Sequence, residues 1–172
     1  MTKELTDYLL ALAALSLSFV AFSTIIVALR QALGSHLTPF DILLVRLFIE
    51  TGFAVTLCSL LPVMLNAAGL NAILTWRLLS ALVALFPFAY FGSYPRQRRR
   101  IPGVGPMPVR VNVNLSITAV AVIGLILNAG GWFFKPSATP YIIAVTWLLV
   151  QSGLVFLQTL PLFLESSPGD KP

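Results

Sequence analysis

The first long segment of the chain is the feature that most restricts its fold. Residues 8–29 form an uncharged run of 22 residues between Asp7 and Arg30. A helix of ~20 residues at ~1.5 Å per residue crosses the ~30 Å hydrocarbon core of a bilayer. The run is longer than the apolar part of a signal peptide, and no small-residue cleavage site follows it. The segment therefore predicts a transmembrane helix.

Four further apolar runs follow, at residues 40–65, 72–91, 115–134 and 141–164. Of the 172 residues, 58% are hydrophobic and only 10% are charged, with a mean hydropathy of +0.91. Water-soluble domains carry about 25% charged residues, so lipid must be the solvent for much of this surface. We predict an all-α integral membrane protein, a polytopic bundle of about five transmembrane helices in a single membrane domain over residues 1–172.

Basic residues predict the orientation of this bundle. The connection of residues 93–114 contains five of the chain's cations, namely Arg96, Arg98, Arg99, Arg100 and Arg110. Because loops rich in Lys and Arg face the cytoplasm, alternation puts the amino terminus outside and the carboxyl terminus in the cytoplasm. We expect a multi-pass protein of a cell membrane, of the bacterial inner-membrane type. The basic cytoplasmic loop serves as a topology determinant and contacts anionic lipid headgroups, whereas nucleic acid is not an expected partner.

Aromatic residues near the ends of the runs agree with this topology. Those at the predicted outer ends are Tyr8, Trp76, Trp132 and Tyr141, and those at the inner end of the third run are Tyr90 and Tyr94. Amphipathic rings of this kind are enriched at both membrane–water interfaces. The pattern predicts an interfacial belt.

The segment VRVNVN at residues 109–114 alternates with period two after the Pro/Gly-rich IPGVGPMP. Such alternation is typical of extended structure. It is either a short extended lead-in to the fourth helix or an edge that pairs with another chain, and we favour the lead-in.

Three charges interrupt the second apolar run, within DILLVRLFIE at residues 41–50. Thr38 suits the N-cap of this helix, Pro39 its first position and Asp41 its third, where the carboxylate can reach back to the cap N–H. We therefore interpret Thr38 and Asp41 as a helix cap, which explains one charge without any functional role.

Arg46 and Glu50 lie about 40° apart on a helical wheel, so they can pair at i,i+4. Counting ~20 residues back from Leu65 puts Arg46 at the cytoplasmic boundary and Glu50 ~6 Å deeper. A carboxylate inside lipid is expensive and generally faces a bundle interior or a water-filled cavity. Glu50, with Arg46 as partner, is thus the candidate polar intramembrane site. The alternative is a structural ion pair that locks this helix against a neighbour.

Milder polar positions occur in the last two runs. Gly124, Asn128 and Gly131 share one helical face, and Gln151 and Gln158 lie seven residues apart. Small and polar residues in membrane helices pack and hydrogen-bond against neighbouring helices. We interpret these five residues as helix-packing contacts or, alternatively, as the lining of a hydrophilic path.

The chain lacks the residue patterns of common enzymes. No P-loop, G-x-S-x-G, H-E-x-x-H or dinucleotide fingerprint is present, and there is one cysteine, Cys58, and one histidine, His36. Asp41 and Glu50 lie on nearly opposite helical faces and do not form an acid/base pair. We expect no enzymatic activity, no cofactor and no metal site.

The first two runs, ending LTPFDILLVRLFIE, resemble the opening of a half-repeat in the drug/metabolite transporter superfamily, where a short S/T-P turn leads into a helix carrying an arginine. The resemblance covers residues 9–60. The first helix lacks the tryptophan-glycine feature of that pattern, and the arginine-rich connection after the third run departs from it. The resemblance implies no functional residue here.

Three functions remain open. The first is a homo-oligomeric channel or transporter-like protein with the Arg46–Glu50 pair near its cytoplasmic mouth, because five helices enclose too little volume for a private pore. The second is a non-catalytic accessory or structural subunit of a larger membrane complex. The third is a regulatory membrane module whose basic loop binds lipid or a protein.

Overall fold

The computed structural model describes residues 1–32, 38–102 and 109–165. These ranges form five α-helices: α1 (Lys3–Ala32), α2 (Pro39–Ala67), α3 (Ala72–Arg99), α4 (Val109–Gly130) and α5 (Ala138–Glu165). They contain no strand, so the predicted all-α bundle is confirmed. Helices α1, α2, α4 and α5 are each long and apolar enough to cross a membrane, and α3 has a shorter apolar part at Ala72–Pro87. The chain is a membrane-embedded helical protein.

The helices alternate in direction. The amino group of Met1 lies 3.3 Å from Asn66 Oδ1, so the start of α1 meets the end of α2. Near the start of α3, Arg77 donates hydrogen bonds to carbonyls at the end of α4. We call this the N-terminal end of the bundle. At the opposite end, the arginine end, Arg98 on α3 lies over the ring of Phe40 at the start of α2.

Helix α5 holds the bundle together because it contacts the other four helices, while α1 packs mainly on α2 and α3 mainly on α4. The apolar core includes Leu12, Val55, Leu79, Val83, Leu125, Val145 and Leu148. Nearer the arginine end, Phe156 meets Phe19 and Phe48 edge to face, with ring centroids 5.3 and 5.6 Å apart. Packed apolar side chains thus fill the space between the helices.

The basic connection is shorter than the sequence predicted. Instead of a loop over residues 93–114, α3 continues to Arg99 and α4 begins at Val109, so that residues 109–114 are helical rather than extended. Arginine and glutamine are strong helix formers, and cations at a helix C-terminus interact favourably with the helix dipole. A helix also satisfies its own backbone groups next to lipid, whereas an extended segment needs a partner.

Helix α4 ends earlier than the predicted run of residues 115–134. Its last residue is Gly130, and Gly131 adopts φ 65°, in the left-handed region that glycine enters without strain. Residues 131–137 therefore form a connection outside both helices, and Trp132 belongs to that connection.

The predicted aromatic belt is only partly correct. Trp76 and Tyr141 are buried at 8% and 0% exposure and contact each other with ring centroids 5.6 Å apart. Tyr94 is buried as well, while Tyr8 and Trp132 are exposed. An aromatic residue near a helix end fits a core position as well as an interfacial one, so its position in the sequence could not separate the two.

Candidate functional site

The start of α2 forms a capping box. Asp41 N donates to Thr38 Oγ1 at 3.2 Å, and Thr38 N donates to Asp41 Oδ2 at 2.9 Å, with Pro39 in the first turn. Asp41 is buried at 7% exposure. This carboxylate therefore accepts from the backbone N–H of the N-cap residue, the role that the residue pattern predicts.

Arg46 and Glu50 form an ion pair one turn further along α2. Arg46 Nε donates to Glu50 Oε1 at 2.5 Å, and the two side chains are 67% and 44% exposed. The pair lies on the outer surface of the bundle, so the expectation that Glu50 faces an interior does not hold within one chain. The side of α2 that faces the bundle is occupied instead by apolar and small residues.

The ion pair continues into an exposed row along α2. We call this row the α2 stripe; its members are Arg46, Glu50, Phe53, Leu57 and Met64, of which the last three are 49%, 59% and 63% exposed. At ~100° per residue they fall within about 60° of the helical wheel. From the first to the last member the helix rises ~27 Å, close to the ~30 Å thickness of a hydrocarbon core.

The opposite face of α2 approaches α1 closely at Gly52. Ser16 Oγ donates to the Gly52 carbonyl at 2.8 Å. A Cβ at position 52 would overlap Val20 Cγ2 and lie 3.8 Å from the Ser16 carbonyl oxygen. Gly52 is therefore the glycine that lets two helices meet, although the sequence singled out Gly124 and Gly131 instead.

A buried tyrosine compensates for the proline inside α2. Pro62 has no N–H, so the carbonyl of Cys58, four residues earlier, lacks its helical donor. Tyr141 of α5 donates its hydroxyl hydrogen to this carbonyl at 2.5 Å. Sequence reasoning missed this contact. The available signal was Pro62 itself, because a proline within a membrane helix leaves a carbonyl that needs another donor.

Asn128 joins three parts of the bundle at the N-terminal end. Its Nδ2 donates to Ser80 Oγ at 2.7 Å and to the Ser137 carbonyl at 3.0 Å, and its Oδ1 accepts from Ser137 N at 3.0 Å. The two glycines of the predicted packing face differ. A Cβ at Gly124 would meet nothing within 4 Å, whereas Gly131, just beyond the end of α4, is approached closely, since a Cβ there would lie 3.4 Å from Pro136 and 3.5 Å from Arg77 Nη2.

Gln151 makes a contact between α4 and α5. Thr118 donates its hydroxyl to Gln151 Oε1 at 2.5 Å, and Trp147 Nε1 donates to the same hydroxyl oxygen at 3.0 Å. Gln151 is thus engaged in helix packing inside the chain. The side chain of Gln158 lies outside the described residues.

The arginines of the predicted basic loop divide between two faces. Three are exposed and related by three and four positions: Arg96 and Arg99 in the last turn of α3, and Arg100 at its C-cap. Arg98 turns inward, with its guanidinium 5.4 Å from the centroid of the Phe40 ring and Nη1 3.4 Å from Tyr94 Oη. Arg110 is exposed at the start of α4. One face of α3 therefore presents three cations outward.

Within the described ranges, no three His, Cys, Asp or Glu side chains come together in a group that suits a metal ion. Among the residues that the structure describes, the main polar features are the outward ion pair of α2, the arginine face of α3 and the internal hydrogen bonds between helices.

No family model, curated protein or solved structure matches this chain significantly. The resemblance of residues 9–60 to a transporter half-repeat consequently gains no support. Function has to be inferred from the arrangement of the side chains.

Proposed function

We propose that the chain is a non-catalytic subunit of a homo-oligomeric, channel- or transporter-like assembly in a cell membrane, and that copies meet through the α2 stripe. The observation that supports this proposal is the position of the Arg46–Glu50 pair on the outer face of a helix long and apolar enough to cross a membrane. A charged pair in that position can face lipid, protein or a water-filled cavity between protein chains.

Protein is the more favourable neighbour. Charged side chains within membrane helices generally face protein or a water-filled cavity, because lipid does not solvate them. Mutual pairing lowers this penalty but leaves two strongly polar groups at the lipid boundary. A protein surface that covers the pair and supplies further hydrogen bonds removes the remaining penalty.

A second copy of the same chain is complementary to this surface. Arg46 and Glu50 present a positive and a negative group one turn apart, so two parallel copies of α2 can each pair Arg46 with Glu50 of the other. Most homo-oligomers have such symmetric contacts. The intervals of four, three, four and seven residues along the stripe match the seven-residue repeat of left-handed helix pairs.

Transport through the assembly requires a path between copies. Apolar side chains form the core between the described helices of one chain, and the ion pair lies outside this core. A path that uses Glu50 therefore runs along the contact between α2 helices, with the pair close to the arginine end.

Cross-linking tests the contact. In a Cys58→Ala background, Leu57→Cys places a thiol in the middle of the stripe, and Leu15→Cys, 60% exposed on α1, serves as the matched control. We expect oxidation in membranes to give a covalent dimer for the first variant only, and the detergent complex to have a mass of two or more chains. Equal cross-linking of both variants, or a stable monomer, would contradict self-association.

Flux measurements test the transport part separately. In dimers held covalently through Leu57→Cys in the Cys58→Ala background, we expect Glu50→Gln to change ion flux in proteoliposomes, with Glu4→Gln, an exposed carboxylate outside the stripe, as the control. Unchanged flux in an assembly that stays intact would leave an oligomer without a transport role. If the chain does not self-associate and is stable only in complex with a different protein, it is an accessory subunit of a larger membrane complex.

The arginine face of α3 supports a second proposal, contact with anionic lipid headgroups at a cytoplasmic surface. Arg96, Arg99 and Arg100 are exposed on one side of the helix terminus, and each cation near an anionic surface contributes about 1 kcal/mol of attraction. We expect their joint replacement by glutamine to reduce the enrichment of labelled phosphatidylserine around the protein in liposomes of mixed lipids. Arg98→Gln, on the inward face, is the control, and equal enrichment of phosphatidylserine around the triple variant and the unmodified chain would contradict this contact.

A further inference from the structure

The connection between α4 and α5 is held at both of its ends. Arg77 donates from Nε to the Ala129 carbonyl and from Nη2 to the Gly130 carbonyl, both at 2.8 Å. The side chain of Asn128 bonds to the backbone N–H and carbonyl of Ser137. The last carbonyls of α4, which have no partner within their own helix, are thus occupied by a neighbouring helix.

This fixed connection presents large aromatic side chains outward. Trp132 and Phe133 are 74% and 80% exposed, and Phe134 is 41% exposed. The indole of Trp132 lies so close to Gly130 that a Cβ there would be 2.9 Å from two ring atoms, and Gly131 has φ 65°. Two consecutive glycines therefore permit the conformation that places the indole against the end of α4. The connection therefore has a defined backbone conformation, which holds the exposed rings in place.

Helix lengths place these rings at the boundary of the hydrocarbon core. Arg77 and Arg96 enclose 18 uncharged residues of α3, which rise ~27 Å. Helix α4 has 22 residues, or ~33 Å. Both values match a core of ~30 Å, so Arg77 and the end of α4 lie at one boundary. Trp132 follows the last residue of α4 by two positions, at the same level.

We infer that Trp132, Phe133 and Phe134 form an aromatic anchor that inserts into the headgroup–acyl boundary of the leaflet at the N-terminal end of the bundle. Tryptophan favours this boundary because its ring is apolar while its N–H still finds polar partners. The neighbouring Lys135 is exposed and supplies a cation at phosphate level. The anchor fixes the depth of the α4–α5 pair, and this inference does not depend on self-association or transport.

Tryptophan fluorescence tests the anchor directly. The chain has three tryptophans, of which Trp76 is 8% exposed and Trp147 is half-buried. The difference between the spectra of the unmodified chain and Trp132→Phe in liposomes therefore isolates Trp132. We expect strong quenching by lipids brominated near the headgroup, weaker quenching by lipids brominated near the chain end, and little quenching by aqueous iodide.

Two results would overturn the inference. Quenching by iodide without quenching by brominated lipid would place the connection in water, and quenching by neither agent would show that protein covers the rings. If Trp132→Phe does not fold, Phe133→Cys in a Cys58→Ala background carries an environment-sensitive label at the neighbouring exposed position. A label spectrum in liposomes equal to that of the same label on a small thiol in water would then be the contradicting outcome.

Discussion

Two kinds of polar side chain lie in different parts of this bundle: Asn128 and Tyr141 are buried between helices, whereas Arg46 and Glu50 are exposed on its outer surface. Asn128 is fully buried, and its amide makes three hydrogen bonds within the chain. The hydroxyl of Tyr141 is bonded to a carbonyl inside the core. Arg46 and Glu50, in contrast, lie together on the outer face of α2.

This difference separates folding from assembly. A buried polar group that loses its partner is left without water or protein to replace it, so the internal contacts hold the helices in place. Both members of the ion pair lie on α2, so the pair links no two helices and contributes little to the stability of a single chain. We therefore expect changes to the internal groups to affect folding most, and changes to the pair to affect it least.

Asn128→Leu should produce the largest loss of stability. The substitution leaves the N–H and carbonyl of Ser137 and the hydroxyl of Ser80 without their partner at a buried position. We expect the free energy of unfolding in detergent to fall by about 3 kcal/mol. Asn112→Leu, at an exposed position near the start of α4, is the matched control and should change little. If both variants lost the same unfolding free energy, the buried hydrogen bonds of Asn128 would not be the cause of the loss.

Tyr141→Phe should have the next largest effect. The carbonyl of Cys58 then has neither its helical donor nor the phenol hydroxyl, and we expect a loss of about 2 kcal/mol in unfolding free energy. Pro62→Ala restores an N–H at position 62, so the same tyrosine substitution should have a much smaller effect in that background. A double-mutant cycle measures this coupling. Additive effects of the two substitutions would contradict the compensation between Tyr141 and Pro62.

Gly52→Ala should have a smaller but measurable effect, because the new Cβ overlaps Val20, whose branched side chain has few alternative rotamers. We expect a loss of about 1.5 kcal/mol in unfolding free energy, as for a strained core insertion. Gly124→Ala is the matched control. Its Cβ meets open space, and alanine has the higher helix propensity, so stability should stay constant or rise. If Gly124→Ala lost more unfolding free energy than Gly52→Ala, the close approach of α1 and α2 at Gly52 would be disproved.

The sequence predicted the helices of this bundle and the capping box well, because both follow from local rules. A span requires a long uncharged run, and the cap requires Thr38 three residues before Asp41. Pairing of Arg46 with Glu50 also follows from their four-residue spacing on one helix.

Local sequence rules do not show which side of a membrane helix faces the core of the bundle and which side faces outward. In lipid, both sides of a helix are apolar, so hydrophobic periodicity does not distinguish the core side from the outer side. For the same reason the sequence predicts an interfacial position for Trp76 and Tyr141, which are buried, and a helix contact for Gly124, whose surroundings are open. Only contacts between distant residues, such as Ser16 with Gly52, settle these positions.

Glu50→Gln should have the smallest effect on the folding of one chain, because its side chain is 44% exposed and its partner Arg46 is 67% exposed. Stability must be measured at protein dilutions where the chain is monomeric, since association itself stabilises the folded state. Under those conditions we expect an unfolding free energy equal to that of the unmodified chain, together with loss of the dimer at higher concentration. The double variant Arg46→Glu with Glu50→Arg keeps both charges one turn apart and should restore the dimer. If Glu50→Gln instead destabilises the monomer as much as Asn128→Leu does, the ion pair stabilises the fold of one chain. The proposal that internal contacts serve folding and the ion pair serves assembly would then be wrong.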